Sequence, residues 1–278
     1  MPTLRIAKVA YLRHGPASHS WGSIIVLGST QSFKNRLLDL LGSNDLEQLR
    51  PHLQPLDFEY KQVLYEPNRP IEWVHFPVTG VASLVNTMAD GSAVEVGTIG
   101  NEGMVGLPIV LGDRVDPSSA YVQVPGSGLR LRASVLEEKL RGSGSMRRVM
   151  LHYAHAFFSQ IMQSAACAHF HSLEQRCCRW LLMTHDRVQS DEFLLTQEFL
   201  GMMLGVRRSS VTEAARSLKK KKIIDYRRGQ VTVLDRPGLE RLSCECYDVS
   251  RREFDRLLGS PLGTVAQPAP IRRDQSGS

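Results

Sequence analysis

The stretch from Leu195 to Asp235 limits what this chain can fold into more than any other. Thr196 is a good helix N-cap, and Phe199, Leu200, Met203 and Leu204 recur behind it at helical spacing. Gly205 supplies the permissive backbone that a tight turn between two helices needs. In the helix that follows, Val211, Ala214, Ala215 and Leu218 share the inward face, which leaves Arg207, Arg208, Ser209, Glu213 and Arg216 outside. Ile223 and Ile224 then lead through Arg227-Arg228-Gly229-Gln230 into Val231-Thr232-Val233, a short hairpin with a basic, glycine-containing tip. Two helices across a glycine turn with a hairpin behind them make a winged helix-turn-helix. Its short second helix, polar outside and cationic, suits entry into a DNA major groove.

Plain three-helix packing produces the same apolar pattern, so charge has to shift the balance. From Arg207 to Arg228 there are nine cations and two anions, Glu213 and Asp225. That surplus exceeds the net +6 of the whole 278-residue chain, so the rest of the sequence is nearly neutral. Positive charge concentrated on one compact unit is the electrostatic footprint of phosphate binding.

Length and composition permit two folded domains, each with a core of its own. No apolar run reaches the roughly 18 residues needed to span a bilayer. The five cysteines are an odd number without framework spacing, which points to a reducing, cytoplasmic setting.

In chain order, residues 1–30 show no sustained period and read as a disordered extension whose removal leaves function intact. Near Asn35 a helical pattern brings in Leu37, Leu38, Leu40 and Leu41, and Ser43-Asn44-Asp45 reads as the cap of a second helix carrying Leu46, Leu49 and Leu53. From Leu56 to Leu131 short strands alternate with turns, with Asp90-Gly91 as a hairpin signal at which both turn positions tolerate positive φ. Such a series suggests a jelly-roll-like β domain.

Ala133 to Leu140 is a short helix, and one long helical run covers Met146 to Ala168. Met150, Tyr153, Phe157, Ile161, Ser164 and Ala168 recur in it three or four apart, either as a core face or, in the preferred reading, as a seam between two chains. Ser172 caps a helix over Leu173–Val188 whose Cys177, Trp180, Leu181 and Leu182 pack beneath the reading head. Leu239 to Leu258 forms a C-terminal helix or helix pair. The fold class is therefore α+β. A sensor roll spans 31–145, a dimerisation helix 146–171, the winged helix-turn-helix 172–258 and a disordered tail 259–278.

The order of roll, long helix and winged head, with Thr196-Gln197-Glu198, Gly205 and Arg208-Ser209-Ser210-Val211 placed as they are, resembles the Crp/Fnr family of bacterial transcription regulators. The resemblance covers about residues 35 to 258 and is most specific in the head. It implies a homodimer that binds a near-palindromic operator and helps or hinders RNA polymerase. Carried onto this chain, it makes Arg208 the reader of guanine O6 and N7 and puts Ser209 and Glu213 at the other base-reading positions. Arg207, Ser210, Thr212, Lys219 and Arg228 become candidates for phosphate contacts, which position without specifying.

The ligand site departs from the family pattern. Cyclic-nucleotide binders carry a cassette like Gly-Glu-Leu…Arg-Ser-Ala, where the run here is Gly106-Leu107-Pro108…Ser118-Ser119-Ala120. Leucine cannot accept from a ribose hydroxyl, and serine cannot pair with a phosphate as a guanidinium does. Arg114 is the nearest substitute. Dependence on cyclic AMP is therefore not expected. Another small-molecule effector, if there is one, is expected near Glu95, Glu102, Met104, Arg114, Ser118 and Ser119.

The family's iron–sulfur members hold the cluster on grouped N-terminal cysteines, whereas the first cysteine here is Cys167. Cys177-Cys178 and Cys244-x-Cys246 read as buried thiols, since such pairs alone make an incomplete zinc site. His152, His155, His169 and His171 lie along or just past the long helix and read as solvated or interface side chains, so no metal site and no certain cofactor are expected. No phosphate loop, HExxH or nucleophile elbow occurs, and an enzyme is not expected. The expectation is a sequence-specific DNA-binding regulator. The alternative is a small-molecule or redox sensor that signals through protein contacts, its basic head a general polyanion surface.

Overall fold

The structure, a computed structural model, describes residues 32–188 and 190–259. The N-terminal extension and all of the C-terminal tail after Gly259 lie outside the described residues.

The described residues start with two short helices, α1 (Arg36–Asp39) and α2 (Ser43–Leu49), and a 3-10 turn, Arg50–His52. Seven strands follow: β1 (Gln54–Phe58), β2 (Val63–Tyr65), β3 (Trp73–Pro77), β4 (Val81–Thr87), β5 (Ala93–Ile99), β6 (Ser119–Val124) and β7 (Gly126–Arg132). One turn of helix, α3 (Pro108–Leu111), lies between β5 and β6. After them come α4 (Ala133–Gly142), α5 (Gly144–Phe170) and α6 (Leu173–Val188). The C-terminal part runs β8 (Glu192–Leu194), α7 (Gln197–Leu204), α8 (Arg208–Lys220), β9 (Ile224–Arg227), β10 (Gln230–Val233), α9 (Arg236–Leu242) and α10 (Cys246–Leu258).

The first seven strands form two antiparallel sheets, ordered β1-β7-β3 and β2-β6-β4-β5. Val74, Phe76, Ile99, Met104, Ala120 and Leu131 fill the space between them. Helix α5 closes that core with Met146, Met150, Tyr153 and Phe157. The Tyr153 hydroxyl donates to the Met104 carbonyl at 2.9 Å, so the ring is buried without an unpaired oxygen. Gly103 makes room for this ring, since a Cβ there would stand 2.2 Å from it. Ser143 caps α5 by accepting from the Met146 amide at 3.1 Å. Its 27 residues run roughly 40 Å at the usual helical rise.

A second core lies under the C-terminal part. Trp180, Leu181 and Leu182 of α6 meet Phe199, Leu200 and Met203 of α7, Val211 and Leu218 of α8, and Val231 of β10. It runs on into the roll, where Phe199 packs edge-on against Tyr121 at 6.0 Å between ring centroids.

Three sequence expectations need correction. The seam residues Met150, Tyr153 and Phe157 are buried inside the chain's own core and cannot face a second copy. The large apolar side chains that α5 does expose are Leu151, Phe158, Met162 and Phe170, on a different phase of the helix. Helix α2 starts at Ser43 with Gly42 as its N-cap, and the capping cluster works differently: Asp45 is buried and accepts from the hydroxyls of Ser143 and Ser145 at 2.7 and 2.6 Å. Between β4 and β5, Gly91 alone takes positive φ (84°), while Asp90 accepts from the Ser92 amide at 2.9 Å and widens the turn into a loop.

Candidate nucleic-acid interface

Local chemistry builds the α7–turn–α8 unit as its sequence dictates. The Thr196 hydroxyl accepts from the Phe199 amide at 3.1 Å and satisfies one of the first-turn donors of α7. Gly205 ends α7 at φ 64°, ψ 38°, a left-handed conformation that glycine adopts without steric cost. The Arg176 guanidinium from α6 reaches the Leu204 carbonyl and covers the last turn. Val211, Ala214, Ala215 and Leu218 are buried, while Arg207, Arg208, Ser209, Glu213 and Arg216 are exposed.

The wing is a two-residue hairpin in which Arg228 and Gly229 both have positive φ, 50° and 80°, as a type I′ turn requires. Strand β8, too short to be seen in the sequence, adds a third member in the order β8-β10-β9. The tip is anchored beside the start of α7: the Leu195 amide donates to the Gly229 carbonyl at 2.8 Å, and the Tyr226 hydroxyl donates to the Leu195 carbonyl. Arg228 is left exposed.

The cations of the head fall into two groups. Lys219 pairs with Asp225 at 2.6 Å, Arg227 with the same carboxylate at 2.8 Å, and Lys221 with Glu174. Arg207, Arg208, Arg216, Lys220, Lys222 and Arg228 have no carboxylate partner among the described residues. Thr212 also has partners within the head, donating to Gln197 at 2.8 Å and to the Arg208 carbonyl at 3.0 Å. Of the phosphate-contact candidates, Arg207 and Arg228 are therefore open to a ligand, Ser210 is half-buried, and Thr212 and Lys219 are engaged within the protein. Behind this surface, Arg236 links the helices of the head through Asp186 at 2.6 Å, Tyr247 at 2.8 Å and Glu240 at 3.0 Å.

The residues proposed for an effector are not gathered round one cavity. Glu102 is clamped by Arg187, with contacts of 2.9 and 3.1 Å from Nε and 2.7 Å from a terminal nitrogen. Met104 is fully buried core. Arg114 is exposed and forks onto Glu137. Ser118 is buried between Asp116 and the Tyr65 hydroxyl, and Ser119 faces the Val85 carbonyl at 3.4 Å. A cavity of about 440 Å³ does open between the roll and α5, but its walls are Tyr65, Leu84, Leu107, Pro108 and Asp116 with Leu151, His155 and Phe158, and none of the six candidates lines it.

Glu95 lines a narrow cleft where β5 meets α6 and α7, accepting from Ser83 at 2.6 Å and from the Trp180 indole at 2.9 Å. Burial raises its pKa to about 7, against the opposing pull of these two donors. A carboxyl held protonated in the folded state stabilises fully below about pH 4.5, and that contribution is lost as pH rises towards 7. Glu95→Gln keeps the shape and removes the titration. Urea midpoints at pH 5 and pH 8 are expected to show the wild type losing about 1–2 kcal/mol relative to the variant across that window.

The cysteines divide in two. Cys177 and Cys178 are buried in the head, where burial pushes both thiols up to about 12. Cys244 and Cys246 do not stand alone as their spacing suggested: Cys167 and His171, from the end of α5, join them in one cluster. Those two residues are about 75 positions away in sequence, so local spacing could not disclose them.

Residues 175–242 match the Crp-like helix-turn-helix domain. The head is a Crp-like helix-turn-helix domain. The fold around that domain is that of Crp/Fnr-type regulators. A protein of Eubacterium rectale described as a Crp/Fnr-family transcriptional regulator superposes with a TM-score of 0.59 at 16% identity, covering 74% of this chain and 96% of its own. FixK2 from Bradyrhizobium japonicum gives 0.59 at 16% identity, covering 69% and 98%. The c-di-GMP-responsive regulator CLP from Xanthomonas campestris gives 0.56 at 12% identity, covering 69% and 99%. No curated protein shows a significant sequence match. Among the described residues, no helix is long and apolar enough to cross a membrane.

Proposed function

We propose that this protein is a non-enzymatic, sequence-specific DNA-binding transcription regulator that works as a homodimer on a near-palindromic operator and acts on RNA polymerase. The observation that carries the reading is the outer face of α8. Arg208, Ser209 and Glu213 are exposed on a rigid helix that lies beside cations with no carboxylate partner. Arg208 reads guanine, Ser209 and Glu213 contact neighbouring bases, and Arg207 and Arg228 hold phosphates on either side.

Two copies meet through α5. Its outward positions Leu151, His155, Phe158, Met162, Ala165 and His169 alternate in steps of four and three, the 3.5-residue period of a two-helix seam. Three of them are large apolar side chains with 40%, 58% and 50% of their surface open in the single chain. Leu151, His155 and Phe158 also wall the 440 Å³ cavity, so a partner helix along the seam would border it. The cavity presents Asp116 and mostly carbon, and Arg114 is engaged with Glu137, which together support a regulator that does not depend on cyclic AMP.

Selection of bound duplexes from a random pool tests the proposal. The expected result is a two-fold symmetric site that outcompetes bulk DNA at physiological salt. Enrichment of no sequence, with equal competition by any polyanion, would overturn it.

A further inference from the structure

Where the end of α5 meets the linker between α9 and α10, four side chains converge from two distant parts of the chain. Cys167 lies in the last turn of α5, His171 is its C-cap, Cys244 is in the linker, and Cys246 is the first residue of α10. One donor atom from each lies within 4.8 Å of all the others. The Cys167 and Cys244 sulfurs are 3.5 Å apart, and the Cys246 sulfur is 3.4 Å from His171 Nδ1. Four donors around one tetrahedral zinc, with Zn–S near 2.3 Å and Zn–N near 2.1 Å, are separated by roughly 3.5–3.8 Å. We propose that Cys167, His171, Cys244 and Cys246 bind a single zinc ion in a Cys₃His site that fastens the C-terminal helix to the long helix.

The surroundings support the proposal independently of the ligand spacing. His171 turns Nδ1 to the cluster while its Nε2 faces a Glu245 carboxylate oxygen at 3.1 Å. A carboxylate on the far nitrogen is the usual support of a metal-bound imidazole, fixing the tautomer that leaves Nδ1 free to ligate. The Gln163 amide donates to the Cys246 sulfur at 3.0 Å, a contact that favours a thiolate. Cys246 also stands at the N-terminal end of the 13-residue α10, where the helix dipole favours negative charge.

Charge balance points the same way. Three thiolates around Zn²⁺ leave one net negative charge. The buried Arg179 guanidinium hydrogen-bonds to Ser164, one turn before Cys167 on α5, and to the Met183 sulfur, with no carboxylate among its hydrogen-bond partners in the described residues. The three cysteines are themselves buried, and the imidazole is mostly covered. Binding releases the thiol protons to solvent, so affinity rises with pH. The site is closed, with four protein ligands and none left for substrate, which makes the metal structural.

Metal analysis of the full chain, purified without chelator under reducing conditions, tests this inference and does not depend on DNA binding. The expected result is about one zinc per chain, lost on denaturation with chelator. Cobalt(II) added to the reduced apo protein is expected to give the intense visible bands of tetrahedral coordination with thiolate charge transfer, and Zn²⁺ is expected to bleach them. Cys246→Ser and the milder His171→Gln are expected to weaken metal retention at least tenfold, whereas Cys178→Ser and His169→Ala retain it. Three outcomes would overturn the inference: a zinc-free chain whose cobalt spectrum is weak and octahedral, equal metal loss in the Cys178→Ser control, or a Cys167–Cys244 disulfide in protein isolated without oxidant. Because the cobalt titration uses the unmodified chain, a variant that fails to fold does not remove the test.

Discussion

Glu102→Ala is expected to destabilise the protein by about 3–5 kcal/mol, as removing one partner of a buried ion pair does. Both side chains of the Glu102–Arg187 pair are nearly enclosed, with 12% and 8% of their surfaces open. The carboxylate also accepts from the Gly100 amide at 3.1 Å, and the guanidinium donates to the Met183 carbonyl at 2.6 Å. The pair joins the loop after β5 to α6, and so the roll to the helix beneath the reading head. Truncation leaves Arg187 charged and without a carboxylate in a site too tight for solvent, where even a Cβ on Gly100 would meet its chain at 2.5 Å. Replacing both partners together, Glu102→Leu with Arg187→Met, is expected to recover much of the loss because no charge is then stranded. Urea unfolding of the single and double variants measures this, and a loss below about 1 kcal/mol for Glu102→Ala would show that the pair is not closed in solution.

Phe158→Asp combined with Met162→Asp is expected to convert the proposed dimer into a folded monomer and weaken operator binding by roughly 10²–10⁴-fold, the range lost when two linked sites become one. Both side chains are exposed in the single chain, so the substitutions cost little within the protomer. Across a paired seam, however, they set four carboxylates facing one another in an apolar strip. The paired control is Phe157→Ala, one residue away but buried against the roll. It is expected to lower thermal stability by about 3–5 kcal/mol without changing the oligomeric state at temperatures where it is folded. Sedimentation velocity and thermal melts on the same preparations separate the two effects. A dimeric Phe158→Asp/Met162→Asp variant would show that two copies do not meet along this face of α5.

The contrast between Phe157 and Phe158 also shows what the sequence could and could not disclose. Periodicity identified α5 as a long helix, because an unbroken run between Ser143 and His171 has few other options. It could not say which face the protomer keeps, since α5 has apolar side chains on two phases and only the surrounding strands decide between them. The reading head was more legible. Thr196, Gly205 and Gly229 act through local backbone chemistry, and each is found in the role its residue type implies.

Roles set by tertiary pairing were hidden. Glu102 and Glu95 gave no sign in the sequence of their partners Arg187 and Trp180, each 85 residues further along the chain. Lys219 looked like a phosphate contact, yet Asp225 beyond the turn occupies it. The cysteine pair at 244 and 246 looked incomplete for the same reason, as Cys167 and His171 reach it only through the packing of α10 on α5.

Whether α8 reads bases is tested most directly by Arg208→Ala. Its affinity should be measured beside that of the unchanged protein on the selected operator and on a scrambled duplex of equal length, over a range of salt. The expected result is a loss of about 1–3 kcal/mol on the operator, with relaxed preference at one base pair of each half-site and a small, salt-dependent loss on scrambled DNA. Equal losses on both duplexes that disappear together at high salt would mean that Arg208 supplies only charge, and would contradict the assignment of α8 as the reading helix.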